Sequence, residues 1–191
     1  MFGCIQTSYL LGKFKFNIDV KAQGTKNAGA SNSILLFGWG FGVFVGLVDI
    51  LKAFLPMFLV SIIIPDASLF IISLAGIGAI LGHVFPFFMN FNGGKGMSCY
   101  FGMLFFFDPF FGLVVSILSL LLVMITNYVA VATVIVLISV PLFSCFFCND
   151  LSLNFILSMS FLSSFIIILH RKNLFKIVKG TETTFWSVIK K

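Results

Sequence analysis

A series of apolar runs, several of them long enough to cross a lipid bilayer, constrains the fold of this chain most strongly. A helix needs about 20 apolar residues to cross the hydrocarbon core, and every backbone polar group must be bonded internally there. Only 9% of the residues are charged and 60% are apolar, which excludes an ordinary soluble domain. We therefore predict an all-α integral membrane protein, a polytopic bundle whose apolar runs are 41–64, 69–88, 97–107, 110–125, 129–147 and 151–169.

Two of the possible helices are short. Residues 97–107 are too few to span a bilayer alone and are predicted to form a short or tilted helix buried among its neighbours. Residues 1–11 supply about half a span. Either translation starts upstream of Met1 or the first helix is degenerate, so we expect six or seven transmembrane helices. Residues 1–191 are interpreted as one domain, comprising a shortened first helix and loop (1–40), the bundle (41–169) and a tail (170–191).

The basic residues predict the orientation. Lysines and arginines cluster in residues 13–26, at Lys95 and in residues 171–191, and Lys52 alone falls inside a run. By the positive-inside rule these segments face the cytoplasm, which puts the motif loops and the C-terminus of a multi-pass protein there. The opposite ends of the helix pairs carry Asp66, Asp108 and Asp150. The net charge of +6 is therefore expected to meet membrane lipids and not nucleic acid.

Three polar stretches converge on this predicted cytoplasmic face. The first, residues 23–32, contains glycines and small hydrogen-bonding side chains. Ser31 or Asn32 is predicted to cap the helix that follows and to leave N–H groups free for an anion. The alternative is a flexible solvated loop.

The second stretch is a Gly-Gly-Lys-Gly turn at residues 93–96, directly after an apolar run. Glycine lets backbone N–H groups approach a phosphate, and Lys95 adds a point charge. The alternative is a turn with a lone positive-inside lysine. His83, upstream, is interpreted as a hydrogen-bonded structural histidine.

The third stretch, residues 170–182, begins where the last run leaves the membrane. His170 and Asn173 lie on one side if the helix continues. The alternative is a basic stop attracted to anionic headgroups. Cys145 and Cys148 form a C-x-x-C, but no second pair or nearby histidine completes a zinc site, so no metal or cofactor is expected.

These three stretches resemble the motifs of the acyl-phosphate-dependent, membrane-integral glycerol-3-phosphate acyltransferases of bacteria, the PlsY family. The family motif G-S-G-N-x-G-A-T-N corresponds to residues 24–32, and G-H-x-F-P-x-F-x-x-F-x-G-G-K-G corresponds to residues 82–96. The pattern H-x-x-N-x-x-R followed by G-T-E appears as His170, Asn173, Lys176 and residues 180–182. A family D-x-x-K pair recurs as Asp49 and Lys52.

The resemblance implies transfer of a fatty acyl group from acyl phosphate to the 1-hydroxyl of sn-glycerol 3-phosphate at the bacterial inner membrane. The products are lysophosphatidic acid and phosphate, and the reaction begins phospholipid synthesis. Both substrates carry phosphate, so the site needs cations and backbone donors and not a metal.

The resemblance also implies the roles of the site residues. Phosphate would be bound by Gly93, Gly94, Lys95, Gly96, Thr25 and Asn27; the acceptor hydroxyl would be oriented or deprotonated by His170 with Asn173, unless a substrate phosphate is itself the base; and Glu182, His83, Ser31 and Asn32 would support the site.

The chain departs from the family pattern at several cationic and polar positions. Leu35 and Asn127 replace arginines and Ala130 replaces a serine, so partners of phosphate are missing. Lys26 and Thr133 are candidate substitutes for the lost charge and hydroxyl. Two alternatives therefore remain: a catalytically impaired relative that acts as a binding or structural membrane protein, and a small transporter.

Overall fold

In a computed structural model, which describes residues 1–147 and 153–189, the chain is a bundle of α-helices, as predicted. Two short 3-10 turns, Phe2–Cys4 and Phe87–Met89, accompany the α-helices. In chain order the helices are α1 (Thr7–Phe16), α2 (Ala30–Phe37), α3 (Trp39–Ile63), α4 (Leu69–Val84), α5 (Met97–Phe107), α6 (Pro109–Thr126), α7 (Val129–Phe147), α8 (Leu153–Val178) and α9 (Phe185–Ile189).

Three of the described helical segments are long and apolar enough to cross a membrane alone. They are Trp39–Ile63, Leu69–Met89 and Pro109–Thr126. Their outward apolar side chains, such as Leu47 and Leu118, are about half exposed, as expected of a surface that faces lipid tails. The short α5 lies inside the bundle, where Tyr100 and Met103 are fully buried. A helix too short to span is stable there because protein surrounds it.

Local signals explain most helix ends. Ser68 accepts a hydrogen bond from the N–H of Ile71 at the start of α4, and Asp108 accepts one from Phe111 at the start of α6. Asp108 is followed by Pro109, whose missing N–H costs nothing at the first position of a helix. Asn127 ends α6 in the left-handed conformation.

Three predicted boundaries were wrong. Helix α4 ends at Val84 instead of residue 88, because Pro86 cannot continue the backbone ladder. Helix α8 continues beyond Leu169 to Val178, and α1 continues beyond residue 11 to Phe16. Cys148, Asp150 and the last two lysines lie outside the described residues.

The order of the elements places all three polar stretches at one end of the bundle, here called the motif end. It consists of α2 with the loop before it, the turn 90–96, the turn 127–128, the last part of α8, and the tail that follows α8. Because α4 ends at Val84 and α5 begins only at Met97, residues 90–96 form a non-helical turn at the motif end. These incomplete helices leave room for a cavity inside the bundle.

Candidate functional site

A cavity of about 350 Å³ lies at the motif end and brings together side chains from distant parts of the chain. Its wall includes Lys95 and Gly96 from the turn after α4, and His170 and Asn173 from α8. The other lining residues for which a site role was predicted are Thr25, Asn27, Ser31, His83 and Glu182, whereas Gly93, Gly94 and Asn32 do not line it.

Lys95, Asn173 and Glu182 form a hydrogen-bonded chain across this wall. The Nζ of Lys95 donates to Oδ1 of Asn173, and Nδ2 of Asn173 donates to Oε1 of Glu182 at 2.6 Å. The amide of Asn173 therefore joins an ammonium to a carboxylate that would otherwise be free to bind it directly. This arrangement fixes the ammonium at the cavity wall and places the amide of Asn173 between it and the carboxylate.

Burial lowers the pKa of Lys95 to about 8. The carboxylate of Glu182 opposes this shift, while the charges of Lys176 and Lys21 lower the pKa further. The two additional lysines are therefore close enough to contribute positive potential at the cavity. A poorly hydrated ammonium of this kind gains more from an incoming phosphate than an exposed one does.

His170 follows the apolar part of α8 and is buried. Its Nδ1 lies 2.9 Å from the carbonyl oxygen of Ile166. Because a carbonyl oxygen only accepts, Nδ1 carries the proton, and Nε2 of the neutral ring is left as an acceptor. Burial, followed by the charge of Lys95, lowers the pKa of His170 to about 4, so the neutral ring is present at physiological pH.

Asn32 organises the loop before α2 and does not cap the helix. Its Oδ1 accepts from the N–H of Thr25 at 2.7 Å, and its Nδ2 donates to the carbonyl of Val20 at 2.9 Å. The N-cap residue of α2 is Gly29, which has no capping side chain, so the prediction that Ser31 or Asn32 caps the helix was wrong. The reason is that α2 begins one residue before Ser31, which places both side chains within its first turn.

Gly93 and Gly94, for which a phosphate contact was predicted, pack against the end of α4. Their N–H groups donate to the carbonyls of Val84 and His83 at 2.9 and 3.1 Å. A Cβ on Gly94 would lie 2.0 Å from Nε2 of His83, and one on Gly93 would lie 2.1 Å from its carbonyl oxygen. These glycines allow the turn to lie directly on the end of α4, and of the four turn residues only Lys95 and Gly96 line the cavity.

Two of the three substituted family positions, Leu35 and Ala130, line the cavity, but Asn127 and the suggested replacement cation do not. Leu35, Ala130 and Thr133 are in the wall, whereas Lys26 is exposed and outside it. Lys21 lies nearer to the turn, where its Nζ donates to Oδ1 of Asn92 at 2.8 Å. Sequence reasoning missed Lys21 because the contact joins residues far apart in the chain.

The tail after α8 covers one side of the cavity, which sequence reasoning also missed. Thr183, Thr184 and Phe185 line it. The N–H of Phe185 donates to the carbonyl of Asn127, and the N–H of Trp186 donates to its Oδ1, both at 2.9 Å. The residue that replaces a family arginine therefore binds backbone of the tail.

The cavity combines this polar wall with an apolar one. Phe101 from α5, and Leu120 and Val123 from α6, supply large apolar side chains. A cation, an unprotonated imidazole nitrogen and an apolar surface in one cavity are suited to an anionic molecule that reacts with an amphipathic one.

Comparisons with known proteins point to one family. A family model described as glycerol-3-phosphate acyltransferase matches residues 1–180. The chain is 33% identical to a glycerol-3-phosphate acyltransferase of Fusobacterium nucleatum, over 96% of this chain and 92% of that protein. It is 35% identical to glycerol-3-phosphate acyltransferase 2 of Thermotoga maritima, over 94% of this chain and 89% of that protein.

Two crystal structures of PlsY, an integral membrane glycerol 3-phosphate acyltransferase, resemble the fold. The glycerol 3-phosphate form has a TM-score of 0.88 at 29% identity, covering 96% of this chain and 90% of that one. The lysophosphatidic acid form has a TM-score of 0.85 at 28% identity, covering 100% and 94%.

Proposed function

Because this chain belongs to the glycerol-3-phosphate acyltransferase family, and is a multi-pass membrane acyltransferase acting on glycerol 3-phosphate, we propose that its acyl donor is acyl phosphate. The cavity at the motif end would then be the place where the two substrates meet. The observation that carries this proposal is Lys95, a poorly hydrated cation held by Asn173 in a cavity that also has an apolar wall.

In the proposed reaction the 1-hydroxyl oxygen of glycerol 3-phosphate attacks the acyl carbonyl carbon. A new ester C–O bond forms, the bond from the acyl carbon to the phosphate oxygen breaks, and inorganic phosphate leaves. The hydroxyl proton passes to Nε2 of His170 or to a substrate phosphate. Acyl phosphate is an activated mixed anhydride, so alignment of the two substrates supplies much of the acceleration without a covalent protein intermediate.

The proposed roles of the other residues follow from their positions. Lys95, with the backbone of Gly96, would bind a substrate phosphate, and Thr25 and Asn27 would hydrogen-bond phosphate or glycerol hydroxyls. Asn173 would hold Lys95, and Glu182 would anchor the tail. The apolar wall at Phe101, Leu120 and Val123 would hold the first part of the acyl chain.

An activity assay with the purified protein tests which acyl donor it uses. With acyl phosphate and glycerol 3-phosphate, we expect equal amounts of lysophosphatidic acid and inorganic phosphate. Acyl-coenzyme A and acyl-acyl carrier protein serve as comparison donors, and faster acylation from either thioester would overturn the proposal. No acylation from any donor would instead favour the alternative of a catalytically impaired relative.

We also propose that the motif end faces the cytoplasm of the bacterial cell, from the distribution of its lysines. Lys172 is exposed at this end. In a variant whose native cysteines are replaced by serine, Lys172→Cys is expected to resist a membrane-impermeant maleimide in intact cells and to react in inverted membranes. Labelling of this cysteine in intact cells would show that the motif end faces the outside of the cell.

A further inference from the structure

A buried ion pair lies beside the cavity and contributes one of its two members to the wall, and the proposed reaction gives this pair no role. Asp49 lines the cavity, and its Oδ1 accepts from Nζ of Lys52 at 2.7 Å. Lys52 does not line the cavity, and its Nζ also donates to the carbonyl of Ile5 at 2.8 Å. Both side chains are only 3% exposed. The ammonium of Lys52 therefore has its hydrogen-bond partners away from the cavity. Asp49 is the member of the pair that lines the cavity.

His83 also lines the cavity and lies beside this carboxylate. Its Nδ1 is 3.6 Å from Oδ1 of Asp49, which is too long for a hydrogen bond. Among the described residues this buried Nδ1 has no hydrogen-bond partner. Gly94 packs so closely against Nε2 of the His83 ring that a Cβ on residue 94 would not fit. This packing restricts the ring and keeps its other nitrogen, Nδ1, near Asp49.

Leaving a buried polar atom without a partner is unfavourable, so a polar group beside Nδ1 of His83 is favoured over an apolar one. A phosphate is disfavoured because Asp49 would repel it. A hydroxyl fits because it donates one hydrogen bond and accepts others. It can donate to the carboxylate of Asp49 and accept from Nδ1–H of His83.

We propose that Asp49 and His83 form a subsite that binds the 2-hydroxyl of glycerol 3-phosphate. This inference rests on the proposed function, in which Lys95 binds the phosphate of the same molecule. With its phosphate bound at Lys95 and its 2-hydroxyl bound at Asp49, the substrate has a single orientation in the cavity. The 2-hydroxyl is then occupied, and the 1-hydroxyl alone is free to attack the acyl donor.

The subsite makes the enzyme selective for a substrate that has both hydroxyls. The matched probe is 3-hydroxypropyl phosphate, which has the reacting hydroxyl and the phosphate but lacks the 2-hydroxyl. A hydrogen bond to a charged group contributes about 1.5–3 kcal/mol, so the wild-type kcat/KM is expected to favour glycerol 3-phosphate by about 10- to 100-fold.

Two variants test whether this preference comes from the subsite. His83→Leu replaces the unpartnered nitrogen by an apolar group in a side chain of similar size. It is expected to reduce the preference to less than about 3-fold by slowing acylation of glycerol 3-phosphate alone. Asp49→Asn keeps an acceptor for Lys52 but removes the charge, and it is expected to reduce the preference several-fold. Asp66→Asn is the matched control, since Asp66 is exposed and outside the cavity, and it should retain the wild-type preference.

Both substrates are compared in the same preparation, so a misfolded fraction cancels from the ratio. Equal kcat/KM values for the two substrates in the wild-type protein would overturn the subsite without any variant. A wild-type preference that persists in His83→Leu would also overturn it. In either case acylation of glycerol 3-phosphate continues, whereas failure of the proposed function appears as no turnover of either substrate with acyl phosphate.

Discussion

The Nζ of Lys95 donates a hydrogen bond to Oδ1 of Asn173, and this contact joins the turn after α4 to the last part of α8. The two residues belong to separate motifs, 78 positions apart. The bond holds the only polar group of the lysine at the cavity wall. Several measurable consequences follow from this contact and from its neighbours.

Replacement of Lys95 by alanine is expected to reduce kcat/KM by at least about 100-fold, because a charged donor to phosphate is lost from a poorly hydrated site. Lys95→Arg keeps the charge but changes its geometry, so partial activity is expected. Lys172→Ala removes an exposed lysine that does not line the cavity, and it should act like the wild type. Initial rates, with membrane insertion monitored by yield, make the comparison; equal rates for Lys95→Ala and Lys172→Ala would contradict the assignment.

The lowered pKa of Lys95 predicts weaker substrate binding in alkali. Its ammonium is present below pH 8 and is lost as the pH rises above about 8. The kcat/KM for glycerol 3-phosphate is therefore expected to fall above about pH 8, by up to ~10-fold per pH unit. The fall should be absent up to pH 9.5 in Lys95→Arg, since arginine stays charged. An identical alkaline fall in both proteins would assign the titration to another group.

Glu182 is predicted to act as an anchor and not through its charge. Its Oε1 accepts from Asn173, and an amide oxygen in Glu182→Gln can accept the same bond. We expect Glu182→Gln to retain activity within about 3-fold, and Glu182→Ala to lose about 10-fold as the bond is lost. Limited proteolysis should cut the tail faster only in Glu182→Ala. Equal losses in the two variants would show that the charge itself is required.

Gly94→Ala is expected to lower the unfolding temperature in detergent and to abolish activity. Its Cβ would lie 2.0 Å from Nε2 of His83, so the turn or the ring has to move. Gly78→Ala is the matched control, because nothing lies within 4 Å of a Cβ there. It should be neutral or slightly stabilising, since alanine favours the helix. A fully stable and active Gly94→Ala protein would show that the close packing on His83 is not needed.

Local sequence signals predicted the apolar helices and several of their ends. The apolar run 97–107 coincides with α5, which Asp108 and Pro109 end, and α7 begins at Val129 as its run does, after Asn127. The signals failed where a helix could continue into polar sequence without a breaker. That is why α8 extends through the basic residues to Val178.

Sequence motifs also predicted which residues would line the cavity, but not how they would be used. Lys95, His170 and Asn173 do line it, whereas the N–H groups of Gly93 and Gly94 bond the carbonyls at the end of α4. A glycine-rich turn has the same sequence whether its N–H groups bind a ligand or the chain itself. Only the position of the neighbouring helix decides between the two.

The amino-acid sequence by itself thus determined that this chain is a helical membrane protein and which residue types its reaction requires, because hydrophobicity and helix breaking act over a few neighbouring residues. The tertiary structure alone decided that Asp49 faces His83, that Asn127 binds the tail and that Asn173 lies between Lys95 and Glu182. Those contacts join residues that are distant in the chain. Their geometry depends on how whole helices pack, which no local pattern encodes.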